Sequence, residues 1–249
     1  MRALLASINC QKTEISKNLE IHERLIAKAV ESNCDIVVFP EMSLTGYLDP
    51  AIHSKFELTL ESAQVNRLVE LTESYSIDVL FGIVERNPSG GPFISQVHAA
   101  DGKVVGIYRK RNLADNEGLF SPGTKPYVGE LEGRSFGVAV CADYSVSTEF
   151  VAASEAGALV VFHPSAPGLY GPRKTDDASW RSGFDWWRTS CIERHGQRAK
   201  ELGLYIAVCT QAGSTYGEDF PGWAGLFGPD GELAAELPDW RAGTLVVEI

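Results

Sequence analysis

No stretch of this sequence approaches the roughly 18 consecutive apolar residues of a membrane-spanning helix, and no CxxC pair or Cys/His cluster has metal-site spacing. The chain is therefore expected to be soluble, and its cysteines offer no metal-site pattern. Cysteine is scarce and odd in number, with Cys10, Cys34, Cys141, Cys191 and Cys209 widely separated. That pattern predicts reduced thiols and a cytoplasmic setting rather than a disulfide framework. Positive charge is also short, since 22 Lys and Arg face 33 Asp and Glu for a net charge of −11. Such a balance opposes nucleic-acid binding, which needs clustered cations, and leaves a small molecule as the expected partner. The opening MRALLASINCQKTE has only about five apolar residues before polar ones, too few for the h-region of a secretory leader. Internal repeats, low-complexity tracts and linker-like stretches are absent too, so residues 1–249 read as one domain.

What the chain does contain is an alternation of helical and strand-like periods. Residues 2–8 read as a strand, and 17–33 as a helix with Leu19, Leu25, Ile26, Ala29 and Val30 on one face. The run DIVVF (35–39) is continuously apolar, as in a strand covered on both faces, and Pro40 ends it just before Glu41. A second helix is predicted over 61–76 and a buried strand over 78–84, followed by a hairpin whose arms SQVHAA and KVVGIY flank Asp101-Gly102. The stretch RSFGVAVCADYS (134–145) then delivers Cys141 to the end of an apolar run. Ser147 is expected to cap a helix reaching 156, with Gly157 at its end. Residues 158–162 form the next strand, broken by His163-Pro164, and 165–182 read as a long loop. A helix is expected over 183–202, after which LYIAVC, WAGLFGPDGELAAEL and TLVVEI read as strands joined by hairpins. This mixture excludes a simple eightfold barrel and favours an α/β fold of layered sheets with outer helices.

Three chemically useful residues follow strand-like segments directly: Glu41 after DIVVFP, Lys110 after KVVGIYR and Cys141 after FGVAV. Ligands of α/β sheets bind at the carboxyl ends of strands, so the three are able to meet in space. A carboxylate can take a thiol proton and return it to a leaving amine, while an ammonium stabilises a thiolate or an oxyanion. Each residue also has an ordinary structural reading. Free cysteine is commonly a buried packing residue, Glu41 would serve as a loop carboxylate, and Arg109-Lys110-Arg111 would serve as a solvated basic edge. Cys10, Cys34, Cys191 and Cys209 are read as packing residues, and the five tryptophans as core or interface.

The segments VVFPEMSLTGY (37–47), YRKRNL (108–113) and GVAVCADYS (137–145) together resemble the nitrilase superfamily of carbon-nitrogen hydrolases. NEGLFSPG (116–123), VVFHPSAPG (160–168) and GLFGPDGELAAEL (225–237) extend the resemblance over nearly the whole chain. It implies an α-β-β-α sandwich and a triad of Glu41, Lys110 and Cys141, with Glu117 as an additional glutamate near the site. It further implies that the Ala142 N–H shares an oxyanion with Lys110, that no cofactor takes part, and that the protein forms homodimers or larger homo-oligomers. The expected reaction is hydrolysis of a carbon-nitrogen bond through a Cys141 thioester. Tyr144, beside the nucleophile, and Ser165 and Ala166, after the next strand, are the expected pocket residues. Ala142-Asp143-Tyr144 replaces the Trp-Glu that follows the cysteine of true nitrilases, so a small carboxamide is expected rather than a nitrile. An N-carbamoyl compound, or a nitrile after all, stays open within the superfamily. Outside it, two readings stand: a Cys/His hydrolase pairing Cys141 with His163 or His195, and an idle binding protein on the same fold.

Overall fold

Each apolar run predicted as a strand is hydrogen-bonded into one of two six-stranded sheets. The computed structural model describes residues 1–249. Its first half contributes β1 (Arg2–Ser7), α1 (Ile15–Glu31), β2 (Ile36–Val38), the short α2 (Pro50–His53), α3 (Ala63–Tyr75), β3 (Asp78–Glu85), β4 (Phe93–Ala100) and β5 (Lys103–Arg109). The second half contributes β6 (Val128–Leu131), β7 (Arg134–Val138), α4 (Thr148–Glu155), β8 (Val160–Ser165), α5 (Asp177–Leu202) and β9 (Tyr205–Thr210). The hairpin β10 (Ala212–Thr215) and β11 (Glu218–Pro221) follows, then β12 (Ala224–Phe227), β13 (Leu233–Glu236) and β14 (Gly243–Glu248). One sheet runs β14-β1-β2-β3-β4-β5, the other β13-β12-β9-β8-β7-β6.

Successive strand residues point to opposite faces, and both faces of each sheet are covered. Leu5, Val38 and Leu80 of the first sheet meet Phe136, Phe162 and Leu226 of the second in a core between the sheets. Their neighbours Leu4, Val37 and Val79 face outward and pack with Leu25 and Ile26 of α1 and Leu68 of α3. On the second sheet Val161, Ile206 and Val208 face outward against Phe150 of α4 and Trp187 and Ala199 of α5. The result is an α-β-β-α sandwich. No helix is long and apolar enough to cross a membrane.

Two predicted boundaries move. β8 does not break at His163-Pro164 but pairs with β9 through Ser165. The reason lies in the alternation of backbone groups: the Phe162 carbonyl accepts from Ala139 N on the β7 side, whereas the Ser165 carbonyl accepts from Gln211 N on the other. Pro164 is therefore turned toward β7, whose pairing has already ended at Phe162, and its missing N–H removes no ladder bond. The loop after β8 is also shorter than predicted. The Asp176 side chain accepts from Ser179 N at 2.8 Å and starts α5 at Asp177 rather than at 183.

Candidate active site

Glu41, Lys110 and Cys141 converge where the two sheets face each other. Glu41 follows β2 and Lys110 follows β5 in the first sheet, while Cys141 follows β7 in the second. Both Glu41 and Lys110 are fully buried, and Cys141 is 9% exposed. Lys110 Nζ donates to Glu41 Oε1 at 2.9 Å and to Glu117 Oε1 at 2.7 Å. Glu117 also accepts from Tyr47 OH at 2.7 Å and, through Oε2, from Ala114 N at 2.7 Å. The free oxygen of Glu41 reaches across the seam to accept from Ala166 N at 2.9 Å. Burial of so many charges is sustained only because each is paired and hydrogen-bonded.

The backbone that presents these side chains is held from several directions. Gln96 and Gln211 donate their amides to the carbonyls of Phe39 and Glu41, each at 2.9 Å. Ser43 Oγ accepts from Gly82 N at 3.1 Å and contacts His22 Nε2 at 2.9 Å. Asp143, two residues past the thiol, accepts from Tyr108 OH, Val140 N, and both the backbone and side-chain amides of Asn112. That carboxylate ties the Cys141 turn to the segment carrying Lys110. Met42 (φ 50°) and Cys141 (φ 42°) both adopt the left-handed conformation that non-glycine residues disfavour, so this scaffolding has strain to hold.

A cavity of about 200 Å³ opens onto Cys141, lined also by Tyr47, Glu117, Ala142, Tyr144, Ala166 and Trp186. A larger cleft of about 590 Å³, around Asp78, His98 and Tyr127, contains none of the three residues. The smaller cavity is the one joined to reactive groups.

A family described as carbon-nitrogen hydrolase matches residues 4–249. The chain belongs to the carbon-nitrogen hydrolase family. The glutamine-dependent NAD(+) synthetase of Acinetobacter baylyi is 26% identical over 229 residues, 88% of this chain and 39% of that protein. The chain thus spans about two fifths of that relative's length. The N-carbamoylputrescine amidase of Solanum tuberosum is 24% identical over 251 residues, 94% of this chain and 81% of that protein. In three dimensions a mutant of the Nesterenkonia AN1 amidase, from the nitrilase superfamily, matches with a TM-score of 0.82 at 24% identity. The match covers 100% of this chain and 90% of the other.

The electrostatics of the site follow from burial. Desolvation pushes the Glu41 carboxyl up to about 7; the Lys110 charge opposes the shift and the Glu117 charge adds to it. Burial disfavours the Lys110 charge, but the carboxylates of Glu41 and Glu117 outweigh it and hold the ammonium. The Cys141 thiol is pushed well above its ordinary range by burial and then by Glu41, with Lys110 pulling the other way. At neutral pH the sulfur therefore rests as a thiol, and Glu41 is balanced between its two forms.

Of the other predicted pocket residues, Ala142, Tyr144 and Ala166 line the cavity. Ser165 does not: it is fully buried, with Oγ directed to His163. His163 meets the carbonyl of Cys141 and not its sulfur, which removes the geometry a Cys/His hydrolase needs. The other four cysteines are free and buried, as packing residues would be. No group of three or more His, Cys, Asp or Glu is arranged to hold a metal ion. Tyr47, Asn116 and Tyr170 join the wall without having been singled out in the sequence; Trp186 also lines it, and Trp187 is the core residue expected while its edge reaches the same cavity. Tyr47 belongs to the same VVFPEMSLTGY segment as Glu41, which is the local signal for its place at the site.

Proposed function

We propose that this carbon-nitrogen hydrolase cleaves a small carboxamide through a thioester on Cys141, releasing ammonia or an amine. The observation that carries the reading is the buried Glu41–Lys110–Glu117 ion cluster standing with Cys141 at one small cavity. Glu41 takes the thiol proton as sulfur attacks the carbonyl carbon, and the C=O electron pair moves onto oxygen. Two of the three hydrogens on Lys110 Nζ are engaged by Glu41 and Glu117, which leaves the third for that oxyanion, together with the Ala142 N–H. Collapse of the intermediate breaks the carbon-nitrogen bond, and Glu41 returns its proton to the departing nitrogen. Water, deprotonated by Glu41, then attacks the thioester carbonyl; the acid leaves and the proton goes back to sulfur. Only water is consumed. A carboxyl near 7 suits a group that must accept and donate in turn.

The cavity of about 200 Å³ lies below the 300–1,000 Å³ typical of drug-sized sites, so the acyl group is small. A primary carboxamide is also what glutamine carries, and the relatives include a glutamine-dependent synthetase as well as an amidase. An N-carbamoyl substrate is the second reading. An adjoining cavity of about 230 Å³ shares Tyr47, Asn116, Gly168 and Tyr170 with the first, and gives a longer molecule somewhere to extend. The test is ammonia release from a panel of simple amides, glutamine, N-carbamoyl compounds and nitriles, with Cys141→Ala as control. Amides should lead and the control should be silent. Faster release from nitriles than from every matching amide would overturn the carboxamide assignment.

A further inference from the structure

Two histidines that the proposed reaction does not use stand behind the nucleophile. His163 of β8 and His195 of α5 are both fully buried. His163 Nε2 lies 3.0 Å from the carbonyl oxygen of Cys141, and its Nδ1 lies 3.2 Å from Nε2 of His195. These partners dictate the tautomers. A carbonyl only accepts, so the His163 hydrogen is on Nε2; Nδ1 is then a bare acceptor, and the hydrogen facing it belongs to Nε2 of His195. His195 Nδ1 is left bare, which accounts for its being a buried atom without a partner. Ser165 Oγ is farther from the His163 ring, 3.3 Å from Nε2 and 3.5 Å from Nδ1, and does not displace either contact. Burial pushes His163 down to about 3 and His195 well below its ordinary value, so neither ring takes a second proton near neutrality.

The clamped carbonyl matters because a trans peptide unit is planar, with C=O and the following N–H pointing in opposite directions. Holding the oxygen of Cys141 therefore aims the N–H of Ala142, at a residue whose φ of 42° the chain would otherwise relax. We propose that His163 is a positioning residue that aims the Ala142 N–H at the oxyanion by holding the Cys141 carbonyl, and that His195 locks His163 in the tautomer able to do so. The proposal rests on the reading of Cys141 as a nucleophile that attacks a carbonyl. As negative charge builds on the oxyanion the peptide unit polarises, and the His163 bond strengthens with it. The effect is thus felt in the transition state and belongs to kcat rather than KM.

The experiment uses the full chain carrying His163→Met, His163→Gln or His195→Leu. Two readouts are taken: kcat and KM on the best amide of the panel, and the rate at which methyl methanethiosulfonate modifies Cys141. In that second reaction the thiolate attacks the sulfenyl sulfur, a new S–S bond forms, and methanesulfinate leaves; no carbonyl and no oxyanion take part. It reports thiol activation and access without the oxyanion donors. His163→Met should lose about 10- to 100-fold in kcat with KM within about twofold, since removing an oxyanion donor outright costs about 10²–10³. Its methylthiolation rate should match wild type, and His163→Gln, which keeps an N–H donor, should recover most of the loss. His195→Leu should show a smaller loss of the same kind, and it carries both readouts if His163→Met does not fold. An unchanged kcat in both deletions, or methylthiolation falling in parallel with kcat, overturns the proposal alone. A wild-type chain that is methylthiolated at Cys141 yet hydrolyses no amide overturns the functional reading and this one with it.

Discussion

Glu41 governs the pH behaviour of the site because burial brings its carboxyl to about 7. A raised carboxyl is protonated below that value and cannot take the thiol proton, so kcat/KM on an amide should fall as pH drops below about 7 and level off above it. A pH-rate profile checks this; a profile flat to pH 5 would remove Glu41 as the base. Glu41→Gln should lower turnover by about 10²–10⁴, and Cys141→Ala should abolish it while leaving the melting curve close to wild type. Lys110 differs from both. It is the cation between two buried carboxylates, so Lys110→Ala leaves those charges unpaired and should cost about 3–5 kcal/mol of stability as well as the reaction. Urea unfolding separates the two losses. Unchanged stability would mean that the ion cluster is less committed to the fold than its burial implies.

Among the elements, β3 is the one on which the Glu41 turn rests. Gly82 lies so close to that turn that a Cβ would run into Met42 N and Pro40 O, and its own N–H donates to Ser43 Oγ. Gly82→Ala should therefore destabilise by about 1–3 kcal/mol, as overpacking does. Because the atoms it displaces flank Glu41, it should also lower kcat about tenfold or more, which denaturant titration and amide kinetics test together. An alanine variant with native rates would show that the turn has room to move. α5 likewise departs from its sequence reading. It begins at Asp177 rather than at 183, and Phe184, Trp187, Cys191, His195 and Ala199 are buried inside the molecule, while Trp186 is exposed at the cavity wall.

At the scale of the whole molecule the site lies on the seam between two sheets, with Glu41 and Lys110 contributed by one and Cys141 and Ala166 by the other. Stability and activity are thereby coupled through the core between the sheets. Phe136→Ala, which opens that core, should cost about 3–5 kcal/mol and depress kcat well below the melting temperature. Val65→Ala, on α3 in the outer layer, should lose stability without that second effect. Equal kinetic losses would mean that the seam is not what sets the geometry. We further propose that copies of the chain associate, since Ile52, Tyr170 and Tyr216 are large apolar side chains left exposed. Sedimentation at micromolar concentration should give at least a dimer; a single 27.1 kDa species would refute it.

How much of this was legible beforehand depended on the range of the interactions involved. Strands such as DIVVF, helices with a period of 3.6 and the Asp101-Gly102 hairpin are specified by neighbours in the chain, and each was readable as such. So were Glu41, Lys110 and Cys141, because ending a strand is a local property and their motifs are contiguous. Short strands escaped: VGEL in β6 and the β10–β11 hairpin lack β-branched runs, and only their partners make them strands. Pro164 misled for the same reason, since whether a missing N–H breaks a strand depends on where the neighbouring strand stops. The cavity wall, the tie of Asp143 to Tyr108 and Asn112, and the pairing of His163 with His195 join residues 30 or more apart. By itself the sequence determined which segments become strands and helices and which side chains stand at their ends. Tertiary structure alone decided which of those ends share a dry site, and with it the protonation of Glu41, Lys110 and Cys141, because desolvation and charge pairing are set by what surrounds a group and not by its position along the chain.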